Sequence, residues 1–285
     1  MKKLGLVLSG GGARGIAHIG VLKVLEENGI TPCCISGASM GAIIGGIYAS
    51  GVTVKDMEKF VNNFVFGNVL DKKYPLYKLQ MFERTNSKFM KYFSIGLSLN
   101  ALAKRKALDS GRKIQYVLKE LTGNKTFSET KIPFQCTAVD LISGKTVALK
   151  EGNLALALRA SMSIPLVFEP VKYGDMLLVD GGVISNAPVC LARDMGADVV
   201  VAVDVNPPLE RKSESEIRTS LDLLWRVYEI MSDKIYSEEL TQADFIIHSD
   251  VHAETLDFSR NEEYVKIGEE SARKVIDRVK SLLEV

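Results

Sequence analysis

The 285-residue chain has few imidazoles: His18, His248 and His252 are its only histidines. A mechanism that needs an imidazole base must use one of those three positions. Cysteine is also scarce. Cys33, Cys34, Cys136 and Cys190 show no metal-ligand spacing, and three lie in or beside apolar runs, so they read as buried reduced thiols. No metal site is expected. Charge of one sign is not in excess; the formal net charge of +1 gives no general case for nucleic-acid binding. No apolar run is long enough to span a bilayer. No N-terminal signal segment is read, because Met1-Lys2-Lys3 leads directly into a short strand and then glycines. The expected location is the cytoplasm, with peripheral contact at a membrane left open. Internal repeats and low-complexity segments are lacking too. What the chain does have is a hydrophobic content of 46%, enough for a substantial core.

The most informative stretch is Gly37-Ala38-Ser39-Met40-Gly41. It follows the apolar run Pro32–Ser36, which reads as a buried strand, and precedes Ala42–Ala49, which reads as a helix. Strand, Gly-x-Ser-x-Gly, helix is the context of a nucleophile elbow. The turn pushes the serine hydroxyl out of the sheet towards the positive end of the helix. The flanking Gly37 and Gly41 are expected to tolerate unusual backbone angles and to remove clashing side chains. Taken alone the pattern is weak, because glycine and serine are common in plain turns.

A second glycine loop, Ser9-Gly10-Gly11-Gly12-Ala13-Arg14-Gly15, follows the apolar run Leu4–Leu8 and opens a helix over Ile16–Glu27. Its Gly-x-Gly-x-x-Gly spacing also fits a dinucleotide fingerprint. That use requires an acid at the end of the second strand, where this chain carries the Ser39 turn instead. The alternative is an oxyanion hole, in which backbone N–H groups point at a developing alkoxide. The donors would be Gly11, Gly12 and Met40. Gly41, Gly45 and Ala49 recur at four-residue spacing, a thin helix face that would let the two glycine loops lie side by side.

Further along, Val52–Phe66 reads as an amphipathic helix. Residues 67–108, aromatic with interleaved lysine and arginine, read as an insertion packed on the core; an apolar lid meeting a lipid surface is the other reading. Asp109-Ser110-Gly111 starts a helix to about Leu121. Pro133–Val139 and Lys145–Leu149 suggest a hairpin, and Asn153–Met162 a short helix. Leu177–Val179 is a strand running into Asp180-Gly181-Gly182. Asn186 is read as the cap of a helix reaching about Met195. Asp198–Val203 is an apolar strand, 207–220 a solvated loop, and a helix, a strand (Asp244–His248) and a helix (about Glu262 to Leu283) complete the chain. This alternation implies an α/β fold, a mainly parallel sheet with helices on both faces. The first glycine loop, Ser39 and Asp180 each follow an expected strand, which would gather them at one edge.

A serine needs a base. In the order Ser-Asp-His, His248 or His252 could serve, whereas His18, inside the first helix, reads as structural. Asp180 could instead act directly, provided its site raises its pKa towards working pH. The residues leave that choice open.

Together these blocks resemble the patatin-like phospholipase family. Gly10-Gly11-Gly12-Ala13-Arg14-Gly15 with Ala17–Leu22 is similar to its oxyanion block, Gly37–Gly41 to its nucleophile block, Ala160–Pro165 with Phe168 and Pro170 to its central segment, and Asp180-Gly181-Gly182 with Asn186 and Pro188 to its aspartate block. The resemblance spans 4 to about 206 and implies a three-layer α/β/α sandwich, a hydrolase core over 4–206, and a helix-strand-helix region over 207–285 closing the same domain. It implies a Ser39–Asp180 dyad without catalytic histidine, an oxyanion hole from Gly10, Gly11, Gly12 and Met40 supported by Arg14, no cofactor, and a phospholipid or other acyl-ester substrate. An acyltransferase or thioesterase would use the same serine. A lipid-binding regulatory module that has lost turnover is the reading from a different class.

Overall fold

The computed structural model describes residues 2–73 and 106–284. The first apolar run forms β1 (Leu4–Leu8), buried at every position, as a parallel strand covered on both faces must be. A 3-10 turn over Gly12–Ile16 leads into α1 (Ala17–Glu27). Asn28 and Gly29 end it, with Gly29 at φ +68°, the left-handed geometry of a helix terminus. The second run forms β2 (Cys34–Gly37), and α2 (Ser39–Ala49) starts two residues later, making Ser39 its first residue. In α3 (Val54–Asn62), the Thr53 hydroxyl caps the first turn by accepting the Asp56 N–H at 3.1 Å. The helix expected to reach Phe66 stops at Asn62, and a 3-10 turn covers Phe66–Val69. Phe64 and Phe66 both pack on Phe258, with ring centroids 5.5 and 5.0 Å away. Residues two apart on one straight helix do not share a face, so the chain must turn to deliver both.

Most of the segment read as an insertion or lid, residues 74–105, lies outside the described residues. After it come β3 (Ala107–Asp109), α4 (Arg112–Leu121), β4 (Phe134–Asp140), β5 (Thr146–Leu149) and α5 (Leu154–Ser161). Then follow β6 (Leu166–Phe168), β7 (Val171–Tyr173), β8 (Met176–Asp180), α6 (Val189–Asp194) and β9 (Val199–Asp204). An exposed loop leads to α7 (Ser220–Leu240), β10 (Phe245–His248) and α8 (Asn261–Leu283). The three-residue strands β3, β6 and β7 are too short to leave a period in the sequence. The β4–β5 hairpin is antiparallel, as expected.

Strands β10, β9, β1, β2 and β4 pair in that order, all parallel. Strands β5 and β8 pair antiparallel with β4, and β7 antiparallel with β8. One face of the sheet, through Leu4, Leu6, Leu8 and Ile35, packs on α1, α2 and α8; the other, through Val7, Val200 and Ala202, packs with residues of α6 and α7. This is the α/β/α sandwich. Helices α1 and α8 cross closely: a β-carbon on Gly20 would stand 2.0 Å from the Val265 carbonyl oxygen, and one on Gly268 1.9 Å from that of Ala17. Among the described residues no helix is long and apolar enough to cross a membrane. Cys34 and Cys136 are buried, as read, but Cys33 is only partly covered and Cys190 is exposed. Cys190 sits on the short helix α6, which turns one side to solvent.

Candidate active site

The elbow forms where β2 hands over to α2. Ser39 takes φ +51°, a left-handed conformation that costs a non-glycine residue about 1 kcal/mol. The unusual angle therefore lies on the serine itself. Gly37 and Gly41 contribute clearance: a β-carbon on Gly41 would fall 2.1 Å from the Leu8 carbonyl oxygen, and one on Gly37 2.7 Å from the Gly41 carbonyl carbon. Only bare backbone lets α2 begin against the end of β1. The Ser39 N–H donates to the Ser161 hydroxyl at 3.0 Å, so α5 fixes the elbow from the other side. Met40 follows in the first turn of α2, where N–H groups have no partner within the helix.

Asp180 reaches Ser39 by a route that the parallel-sheet argument did not contain. Cys136 on β4 pairs with Gly37 on one side and Leu149 on the other, while Val139 pairs with Thr146 and Val179. Strand β5 therefore occupies one edge of β4, and β2 and β8 share the other edge. The two run towards each other and stop opposite Cys136 and Ala138. Asp180 is at the carboxyl end of its strand, but that strand is antiparallel, and it meets the elbow head-on. The Ser39 hydroxyl donates to Asp180 Oδ2 at 2.6 Å. The Gly182 N–H donates to Asp180 Oδ1 at 2.7 Å, and the Asp180 N–H to the Ser163 carbonyl at 3.0 Å. A β-carbon on Gly181 would lie 2.5 Å from the Thr137 carbonyl oxygen, so the chain can turn away from β4 here only as glycine. Burial pushes the Asp180 carboxyl up to about 7, against the lowering effect of its bonds from Ser39 and Gly182.

The first glycine loop lies beside the elbow, as the thin face of α2 implied. A β-carbon on Gly10 would be 3.0 Å from that of Ser39. Gly10 is an anchor: its N–H donates to the Asn186 carbonyl at 3.1 Å, and its carbonyl accepts from the Asn206 and Asn186 side chains at 2.7 and 3.3 Å. With that N–H committed, Gly10 does not fit the donor role expected of it. Ala13 is tied as well, to the Thr255 carbonyl at 2.8 Å. Between them the N–H groups of Gly11 and Gly12 have no hydrogen-bond partner among the described residues. Arg14 Nε donates to the Gly11 carbonyl at 3.1 Å.

Several supporting residues carried no signal in the sequence or a signal for a different role. Asn186, expected to cap a helix, instead binds Gly10, and α6 starts at Val189. Glu239 on α7 accepts from the N–H groups of Asn186 and Ala187 at 2.8 and 2.9 Å and from the Ser185 hydroxyl at 2.5 Å. Buried Asp204 accepts from the Tyr236 hydroxyl and the Asn206 N–H. Buried Arg159 donates to the carbonyls of Ser110, Gly111 and Glu169 and to the Ser163 hydroxyl. A lone Glu or Arg within an amphipathic helix gives no hint that it points inward.

The histidines lie elsewhere. His18 is buried and donates from Nε2 to the Ser9 carbonyl at 2.8 Å; burial pushes it down to about 4, so it sits neutral under the glycine loop. His248 is on β10, three strand spacings from β2, roughly 14 Å, with Nδ1 3.0 Å from Asp204. His252 is exposed beside Asp250 at 3.2 Å. Neither histidine contacts Ser39. Among the described residues no cluster of His, Cys, Asp and Glu could hold a metal ion.

The chain is 31% identical over 254 residues to human patatin-like phospholipase domain-containing protein 6, covering 84% of this chain and 16% of that one. It is 30% identical over 232 residues to lysophospholipase nte1 of Emericella nidulans, covering 79% and 13%. To an uncharacterized NTE family protein of Mycobacterium tuberculosis it is 30% identical over 204 residues, covering 72% and 49%. The chain thus spans about half the length of the mycobacterial relatives it matches. Its fold is that of VipD from Legionella pneumophila, with a TM-score of 0.56 at 16% identity over 98% of this chain and 67% of the other. A family model described as patatin-like phospholipase matches residues 6–193, which include the elbow, the glycine loop and Asp180: the chain belongs to the patatin-like phospholipase family.

Proposed function

We propose that this protein is a serine lipid acyl hydrolase of the phospholipase A, lysophospholipase or carboxylesterase type. The observation that carries the reading is the 2.6 Å hydrogen bond from the Ser39 hydroxyl to a buried carboxylate whose affinity for protons is raised to about 7. Such a carboxylate can take a hydroxyl proton near neutral pH without an imidazole. That the Emericella relative is named a lysophospholipase supports an acyl-ester substrate.

In the proposed sequence, ionised Asp180 accepts the Ser39 proton as Ser39 Oγ attacks the ester carbonyl. The N–H groups of Gly11, Gly12 and Met40 receive the oxyanion, assisted by the positive end of α2. The tetrahedral intermediate expels the alcohol, which takes the proton back from Asp180 and leaves an acyl-serine. Water then gives a proton to Asp180 and attacks the acyl carbon. Collapse releases the fatty acid and returns the proton to Ser39. Gly182, donating to the other carboxylate oxygen, holds Oδ2 towards the serine.

We also propose peripheral contact with lipid surfaces through the outer side of α7. Leu223, Leu224, Val227, Ile230 and Met231 are all about half exposed or more, and their spacing gathers them on one side of the helix. The same helix carries Tyr228, which feels the charge of Asp180.

The primary test is labelling with a fluorophosphonate probe, followed by product analysis on lysophosphatidylcholine. The parent should label and release fatty acid. Ser39→Ala and Asp180→Ala should do neither, with losses of about a thousandfold or more. Full turnover by a folded Asp180→Ala would remove the dyad. Acyl transfer to an added alcohol in preference to water would reassign the enzyme as a transferase.

A further inference from the structure

Glu239 lies in the last turn of α7, close to the site and outside the proposed chemistry. One carboxylate oxygen accepts the Ser185 hydroxyl at 2.5 Å, and the other accepts the N–H groups of Asn186 and Ala187 at 2.8 and 2.9 Å. Burial pushes this carboxyl up, against the lowering effect of those three bonds. The segment it gathers touches both halves of the site. The Ser185 N–H donates to the carbonyl of Gly181, next to Asp180, at 2.8 Å. Asn186 holds Gly10 at both ends: its carbonyl accepts the Gly10 N–H at 3.1 Å, and its Nδ2 donates to the Gly10 carbonyl at 3.3 Å. The Gly10 carbonyl and the Gly11 N–H belong to one planar trans peptide and point opposite ways, so holding the first aims the second. Asn206 Nδ2, at 2.7 Å, is a second donor to that carbonyl. The Asn206 backbone N–H donates to Asp204, which also accepts the Tyr236 hydroxyl of α7. Both asparagines thus trace back to α7, Asn186 directly through Glu239.

We propose that Glu239 is a positioning residue of the reaction: by fixing Asn186 against Gly10, it sets the direction of the Gly11 N–H at the oxyanion. The proposal rests on the hydrolase reading above. Glu239 acts through the Ser185–Ala187 segment and not on the reacting atoms. An oxyanion donor is effective when it is aimed in advance at the place where charge develops. Without the Glu239 carboxylate, two N–H groups and a hydroxyl lose their acceptor, and the segment shifts to find others. Gly10 moves with Asn186, and a displacement of about 1 Å at the donor costs about a hundredfold in rate. Binding of the uncharged ester depends little on that direction, so the loss falls on kcat.

The test uses the full chain with p-nitrophenyl butyrate. Glu239→Leu lowers kcat about a hundredfold and leaves KM within about threefold of the parent. Glu239→Gln keeps kcat within about fivefold, because its amide oxygen still accepts both N–H groups and its NH2 donates to the Ser185 oxygen. Leu240→Ala truncates the next residue of the same helix, a buried one. It lowers Tm and leaves kcat parental, which separates positioning from loss of stability. A folded Glu239→Leu with parental kcat overturns the proposal, as does an equal loss in Leu240→Ala or in Glu239→Gln. If Glu239→Leu does not fold, Glu239→Asp decides: it draws the carboxylate back by one C–C bond of roughly 1.5 Å. In that variant kcat falls at least about tenfold; a parental kcat overturns the proposal. A second measurement needs no turnover. Amide exchange read by NMR at Gly10 speeds up at least about tenfold in whichever of the Leu and Asp variants folds, and unchanged exchange overturns the proposal. A parent that takes no fluorophosphonate refutes the hydrolase reading alone, and the exchange at Gly10 still decides whether Glu239 holds the loop.

Discussion

The Asp180 carboxyl serves two opposed demands. In the proposed mechanism its burial lets it take a proton from Ser39, and the same burial makes its charge costly to the fold. With a folded pKa of about 7 against an ordinary 3.8, the protonated form is favoured in the folded state. The stabilisation is complete below about pH 3.8 and is lost as pH rises through 7, a difference of about 4 kcal/mol. Asp180→Asn should therefore be inactive and more stable than the parent at pH 8, with the gap in Tm shrinking towards pH 4. Thermal melts across that range check it; a pH-independent gap would mean that the carboxyl is not buried as described. For the parent, kcat/KM should fall about tenfold per pH unit below 7, because only ionised Asp180 can act as base. Arg159 makes the other residue-scale prediction. It is 2% exposed and satisfies acceptors from 110–111 and 163–169, including the Ser163 whose carbonyl holds Asp180. Arg159→Met should cost about 3 kcal/mol or more in urea unfolding.

At the scale of elements, α7 has two tasks on two sides. Tyr236 and Glu239 face inward and hold the Asp204–Asn206 and Ser185–Ala187 segments. Leu224, Val227 and Met231 face outward. Flotation with vesicles should show the parent bound, and Leu224→Glu with Met231→Glu released, with fluorophosphonate labelling unchanged. Retention of the double variant on vesicles would move the contact to another surface. Helix α7 was legible in sequence as a long run without proline or glycine. Helix boundaries were less so: α2 begins at Ser39 because its first turn abuts β1, and α3 ends early because Phe64 and Phe66 must both reach Phe258. Local propensity contains neither contact.

At the scale of the molecule, the family match ends at residue 193, yet the later chain reaches the site. Strand β10 extends the sheet, α8 packs on α1 through Gly20 and Gly268, and Thr255 holds the loop through Ala13. We propose that 207–285 completes the same domain as the 4–206 core. A chain cut after Asn206 should then lack a cooperative transition and fluorophosphonate labelling; a folded, labelled fragment would make the tail an accessory.

The sequence by itself determined the alternation of strands and helices, and it singled out Ser39, the glycine loop and Asp180, because each depends on a short run of neighbouring residues. The tertiary structure alone decided how they meet. Strands β2 and β8 share one edge of β4 and stop facing each other, and that geometry arises from pairings such as Gly37 with Cys136 and Ala138 with Asp180, which lie far apart in the chain. It also decided which N–H groups have no partner among the described residues, since Gly10 is bound by Asn186 and Gly11 and Gly12 are not, and it placed His248 and His252 away from the serine. Hydrogen-bond partners distant in the chain leave no periodicity or spacing to read. They exist only once the sheet has brought them within 3 Å or so of one another.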